Sequence, residues 1–165
     1  MKKIICEKLI RITKNKKKLE KILNVKIKNR GKEVFLGGKS ENEYVAEKVI
    51  DALEFGFPFS TAIMIKEHNC VFEIVNIKDY TKRKDLFRVR ARIIGTKGKT
   101  LQTLHHLTNC FFEIKDNSVG IIGAPEFIKN SQEALISIIK GSKQANVYSF
   151  LEKHQVRQID DLGLK

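Results

Sequence analysis

Arg92-Ile93-Ile94-Gly95-Thr96-Lys97-Gly98-Lys99-Thr100-Leu101 sets two branched apolar residues before a GxxG and another apolar residue three positions after it. Glycines that bracket two residues let a backbone turn sharply and bring its N–H groups against a ligand without side-chain bulk. When a helix follows, its free amides and the positive end of its dipole point to the same place, which suits a phosphate. Arg88, Arg90 and Arg92 lie upstream, and Lys97 and Lys99 lie within and just after the loop. A bare GxxG is equally an ordinary tight turn, so the flanks decide what it is.

Downstream, Leu101, Leu104 and Leu107 recur at helical spacing, and Asn109 stands where a helix ends in a left-handed residue. Phe111–Lys115 and Ser118–Ile122 read as a hairpin around Asp116-Asn117. Gly123-Ala124-Pro125 introduces a long helix striped by Phe127, Ile128, Ala134, Leu135, Ile138 and Ile139 and ended by Gly141. A last helix carries Val147, Tyr148, Phe150 and Leu151 to His154, and a polar tail follows. Upstream, Val71–Ile77 is rich in β-formers. Lys84–Ile94 reads two ways: Leu86, Val89 and Ile93 share a helical stripe, yet Val89, Ala91 and Ile93 also alternate as in a strand.

The first half repeats the later part of this order. Leu19, Ile22 and Leu23 suggest a short helix ending at Asn24, then a hairpin of Val25–Lys28 and Glu33–Leu36 around Arg30-Gly31. Ser40 is expected to cap the next helix, with Glu43 completing a capping box. Matching Leu36-Gly37 to Ile122-Gly123 gives a period of about 86 residues and aligns Asn24 with Asn109. We expect two units, residues 1–67 and 68–165, joined between Gly56 and His68. The copies differ in one respect. With the first strand ending at Ile12, only seven positions separate it from Leu19, against twenty-seven from Ile77 to Leu104. The first unit is therefore expected to lack both the helix before the loop and the loop itself, with Lys14-Asn15-Lys16-Lys17-Lys18 in their place.

Composition limits what such a chain can do. Of 165 residues, 42% are hydrophobic and 31% charged, which permits a core. Lys+Arg of 32 against Asp+Glu of 19 gives a formal charge of +13, pointing to a polyanion, nucleic acid ahead of an acidic membrane. The competing explanation is a solubilising lysine-rich surface. No apolar run approaches the ~20 residues of a membrane span. The opening Met1-Lys2-Lys3-Ile4-Ile5 meets Glu7, Lys8 and Arg11 before an export signal could develop, so a cytoplasmic protein is expected. Cys6, Cys70 and Cys110 are isolated, and the four histidines lack ligand spacing, so no metal and no cofactor are expected.

Strand, helix, GxxG, helix, strand, strand, helix is the order of a type I KH domain, and the quoted decapeptide resembles the KH signature. More narrowly, Gly120-Ile121-Ile122-Gly123 and Val147-Tyr148-Ser149-Phe150-Leu151-Glu152 resemble archaeal two-KH ribosomal RNA-processing proteins, counterparts of the eukaryotic small-subunit assembly factor named as partner of Nob. The likeness is strongest from about Phe87 to His154; over the first half it rests on order and spacing. It implies an α+β fold of two tandem type I KH-like domains, the first truncated and without its GxxG. It also implies a clamp on the backbone of about four single-stranded nucleotides, with bases across an apolar groove. Carried onto this chain, Gly95, Thr96, Lys97 and Gly98 would hold phosphates, and Ile93, Ile94 and Leu101 would line the groove floor. Ile114 would meet a base through its backbone, and Arg88, Arg92 and Lys99 would charge the rim. A core position is the competing reading for Ile93, and plain solvated charge for the cations. The implied role is single-stranded RNA binding in small-subunit rRNA processing near the RNA's 3′ end, beside a PIN-domain endonuclease. A protein-interaction scaffold in ribosome assembly is the alternative from another class.

Gly98-Lys99-Thr100 is also the end of a P-loop, GxxxxGK followed by Ser or Thr. The first glycine of that pattern falls on Ile93, whose branched side chain would obstruct a phosphate-wrapping loop. A P-loop further needs a buried parallel strand upstream, where this chain has Arg88, Arg90 and Arg92. No paired carboxylates or nucleophile with base suggest other catalysis, so a binding protein, not an enzyme, is expected. The two readings separate on backbone shape. A KH loop needs helix before and after the glycines, with Val89 and Ile93 inward and Arg88 and Arg92 together on an exposed face.

Overall fold

The computed structural model describes residues 1–155; part of the expected polar tail, 156–165, lies outside the described residues. Three strands and three helices make up the first half: β1 (Lys2–Ile5), α1 (Ile10–Lys14), α2 (Lys16–Leu23), β2 (Lys26–Arg30), β3 (Glu33–Gly37) and α3 (Ser40–Phe55). Two short helices, α4 (Phe59–Ala62) and α5 (Met64–Glu67), occupy the expected joint, and β4 (Val71–Asn76) follows. Then come α6 (Leu86–Ile94), α7 (Lys99–Thr108), β5 (Phe111–Lys115), β6 (Ser118–Gly123), α8 (Pro125–Ile139) and α9 (Gln144–Lys153). The fold is mixed α and β. Its two antiparallel sheets have the same order, β1-β3-β2 and β4-β6-β5.

Local chemistry explains the boundaries. Asn24 and Asn109 end α2 and α7 in the left-handed region, at φ 53° and 55°. Asp116, also left-handed, turns the chain between β5 and β6. Pro125 is the first residue of α8, where its missing N–H leaves no bond unmade. One cap differs from expectation. Ser40 is already helical and makes no side-chain cap; Lys39 precedes the helix, and the Gly38 N–H donates to Glu43 at 3.2 Å. Half of the capping box is thus present, shifted to the residue before the cap.

The larger correction lies in the first copy. Its opening strand ends at Ile5, and Ile12 belongs to α1. A helix before α2 therefore exists, five residues long against nine in α6, with Asn15 alone between α1 and α2. Tertiary contacts explain it. Ile12 is fully buried, and the Arg11 guanidinium donates to the carbonyls of Gly56 and Phe57, just past the end of α3. Arg92 on α6 does the same at the end of α8, donating to the carbonyls of Ile138 (3.0 Å) and Ser142 (2.6 Å). In each half an arginine from the second element thus bonds the carbonyls at the end of the long helix that follows the hairpin.

Two hydrophobic clusters result. One gathers Ile12, Leu19, Leu23, Val34, Leu36 and the inner face of α3; the other gathers Val75, Val89, Ile93, Leu104, Ile121 and the inner face of α8. The sheet β4-β6-β5 is covered on both sides. Val119 and Ile121 face its own helices, while Phe72, Phe111 and Ile122 join the first cluster. Phe55 and Phe57, at the end of α3, meet Phe72 with ring centroids 5.8 and 5.7 Å away, edge to face. Gly120 makes room for these rings: a Cβ there would lie 2.8 Å from both Phe55 and Phe57. These contacts cover the Phe72–Ile122–Phe111 end of the back face, while Ile74 at its other end stays 52% exposed.

Candidate nucleic-acid interface

Helix comes before and after the glycines, as the KH reading requires. Asp85 caps α6 by accepting the Arg88 N–H at 3.3 Å, and Gly95 ends it at φ 77°, ψ 172°. Thr96–Gly98 make one 3₁₀ turn, closed by Gly98 N–H to Gly95 O at 3.2 Å. Lys97 (φ 55°) and Gly98 (φ 75°) both have left-handed backbone, and α7 starts at Lys99. The first-turn amides of this ten-residue helix open toward the loop, where a phosphate would be stabilised.

The two glycines are required for different reasons. A Cβ on Gly95 would sit 2.7 Å from the Thr100 backbone nitrogen and closer still to its hydroxyl, whereas Gly98 has open space around it. Both have positive φ, so Gly95 is required by conformation and by tight packing, and Gly98 by conformation alone. Behind the loop, Thr100 is buried, and its hydroxyl accepts from Gln144 Nε2 of α9 at 3.1 Å. The same amide nitrogen lies 3.4 Å from the Arg92 carbonyl. Together with the Arg92 guanidinium bonds, this ties α9 and the end of α8 to the base of the loop. An open cavity of about 540 Å³ lies on this side, lined among others by Ala91, Thr96, Lys99, Thr103 and Tyr148.

The structure separates the expected site residues. Thr96, Lys97 and Lys99 are exposed on the loop and the first position of α7. Among the described residues none of the loop lysines has a carboxylate within 4.0 Å, so their charge is free for a ligand. Arg88 is exposed and, among the described residues, paired only with the exposed Asp85 at 3.4 Å, a weak tie. Ile94 (38% exposed) lies at the surface, and Leu101 and Ile114 are half-buried, with Ile114 on the edge strand β5. Two expectations need correction. Ile93 is fully buried in the second cluster and cannot line a groove. Arg92 does not share an exposed face with Arg88, because its guanidinium is half-buried against the carbonyls ending α8.

Three residues in this region were not among the expected site residues. Ala91 is exposed on the same stripe as Ile94, three positions before it. Arg90 reaches from α6 to the Asn117 side-chain oxygen in the β5–β6 turn, closing the space between helix and hairpin. Gln144 braces the loop from 44 residues away in sequence. A helical wheel with Ile93 assigned to the core would have turned Ala91 and Ile94 outward. The partners of the other two, Asn117 and Thr100, are distant in sequence, and no local pattern marks them.

A family model corresponds to this architecture: the second KH domain of PNO1, described as a eukaryotic-type KH domain of type I, matches residues 71–156. The chain belongs to this family. The match runs from β4 through α9 and contains the Gly95–Gly98 loop. The KH domain-containing protein MJ0443 of Methanocaldococcus jannaschii is 27% identical over 147 residues, covering 85% of this chain and 65% of that protein. The pre-rRNA-processing protein pno1 of Emericella nidulans is 29% identical over 115 residues, 67% of this chain and 45% of that one. This KH chain therefore spans about half to two thirds of the length of these relatives. In a solved complex of a/eIF2alpha, aDim2p and rRNA from Pyrococcus horikoshii OT3, the matching chain superposes with a TM-score of 0.83 at 25% identity, over 93% of each chain.

Proposed function

We propose that this KH protein binds single-stranded RNA in the processing of small-subunit ribosomal RNA and the assembly of that subunit. In this reading residues 68–165 form the KH domain that grips the phosphates, and residues 1–67 form a degenerate KH-like unit without a GxxG. One observation carries it: Gly95–Gly98 sits between two helices, with Thr100 packed against Gly95 and braced by Gln144, and with Lys97 and the following Lys99 unpaired among the described residues. Such a loop presents amides and cations to a phosphate track while Ala91, Ile94, Leu101 and Ile114 offer apolar contact to bases. A relative named for pre-rRNA processing and a similar fold solved with rRNA support the substrate class. The 3′ region of the small-subunit rRNA as target, a PIN-domain endonuclease as partner and the cytoplasm as location extend the same reading from the family resemblance. Among the described residues no helix is long and apolar enough to cross a membrane.

Salt dependence tests the reading. Each phosphate neutralised on a single strand contributes about −0.7 to the log–log slope of affinity against salt. Three or four contacts at the loop predict a slope of roughly −2 to −3. A flat response would mean that the charge of +13 serves another partner, the scaffold alternative. Crosslinking in cell extract followed by sequencing of the bound RNA checks the rRNA assignment; recovery of fragments unrelated to the small-subunit 3′ region would contradict it.

A further inference from the structure

Resting on that RNA reading, we propose that Phe87 is a base-stacking platform that carries the site two helical turns beyond the clamp. Phe87 is 72% exposed, although it stands inside a capped helix whose core face is already filled by Leu86, Val89 and Ile93. It makes no contribution to the core that would explain an aromatic ring at this position. Phe87, Ala91 and Ile94 follow at helical spacing and form one outward stripe that leads directly into Gly95. Seven residues of helix place Phe87 about 10 Å from Ile94, the length of about three stacked nucleotides. Cations accompany the ring. Lys82 and Lys84 are exposed just before α6, Arg88 is exposed beside it, and among the described residues no carboxylate lies within 4.0 Å of either lysine. An exposed aromatic ring among exposed cations, continuous with a phosphate-holding loop, fits an unpaired base of a single strand, because every base has a stackable face. The occupant is therefore the strand already held by the clamp, and the site is longer than four nucleotides.

The chain contains no tryptophan, so Phe87→Trp introduces a single reporter at this position. Titration of that variant with a single-stranded 12-nucleotide RNA should quench its fluorescence, and a tetranucleotide that fills only the clamp should quench it far less. Phe87→Ala should weaken 12-mer binding between about fivefold and a hundredfold, the range of one lost base stack, with the slope of affinity against salt unchanged because no phosphate contact is removed. Its unfolding midpoint should match wild type, since the ring is exposed. Wild-type affinity in Phe87→Ala, or no quenching of Phe87→Trp by the 12-mer, would overturn the proposal while leaving the clamp intact. Failure of the unaltered protein to bind the 12-mer would overturn the RNA reading and this proposal with it.

Discussion

A methyl group on Gly95 would press into the backbone of Thr100 at 2.7 Å, and the residue's φ of 77° already disfavours any side chain. Gly98 has a similar φ but empty space around it. Gly95→Ala should therefore cost on the order of 3 kcal/mol or more, steric overlap added to backbone strain, while Gly98→Ala should cost about 1–2 kcal/mol. Chemical denaturation of the two variants checks the order; equal losses would show that loop conformation alone sets the cost. Asp51 makes a second prediction at this scale. Burial, with help from the neighbouring Glu47, raises its carboxyl from 3.8 to about 6. The folded protein then holds this proton more tightly than the unfolded chain. Asp51 is harmless below about pH 4 and lowers stability progressively as pH rises through about 6. Asp51→Asn should raise stability at pH 7 by on the order of 1–2 kcal/mol after allowance for solvent screening. The gain should vanish below about pH 4, and a gain independent of pH would rule out titration as its source. The two glycines were legible in sequence; which of them is sterically locked depends on Thr100 lying against Gly95, a fact of packing.

Among the elements, α6 shows how far periodicity reaches. Its stripe of Leu86, Val89 and Ile93 was readable, and it resolves in favour of helix because a strand would have placed charged arginines on a buried sheet face. Arg92 was misplaced because its partners are the Ile138 and Ser142 carbonyls, 46 and 50 residues away. The first copy failed for a related reason. Ile10 and Ile12 alternate as in a strand, but Ile12 packs under α3 and Arg11 bonds the carbonyls beyond it, and those contacts select a short helix. The helix α9 supplies the third prediction. Gln144→Ala removes the amide that joins Thr100 and the Arg92 carbonyl, so stability should fall by about 1 kcal/mol. RNA affinity should fall severalfold, because the loop loses its rear support. Denaturation and fluorescence anisotropy measure the two effects, and unchanged affinity would show that α9 does not hold the clamp in place.

For the molecule as a whole, two sheets share one strand order, Asn24 and Asn109 end the helices before the two hairpins, and Arg11 and Arg92 each bond the carbonyls beyond a long helix. The shared strand order was legible because turn residues recur at a fixed spacing. The way the halves meet was not, since Phe55, Phe57, Phe72 and Gly120 come from separate elements and share no sequence pattern. Their contact covers part of the back of the second sheet, while the unpaired loop lysines and the helix N-terminus make the loop side the face suited to a polyanion. If Gly95–Gly98 holds RNA phosphates, Thr96→Asp combined with Lys97→Asp sets two negative charges against them. Both residues are exposed, and aspartate tolerates the left-handed backbone at Lys97, as Asp116 shows in the hairpin, so folding should survive. At fixed salt, anisotropy with a single-stranded RNA should show affinity reduced well over tenfold, about 1.4 kcal/mol or more. Wild-type affinity in a folded double variant would contradict the claim.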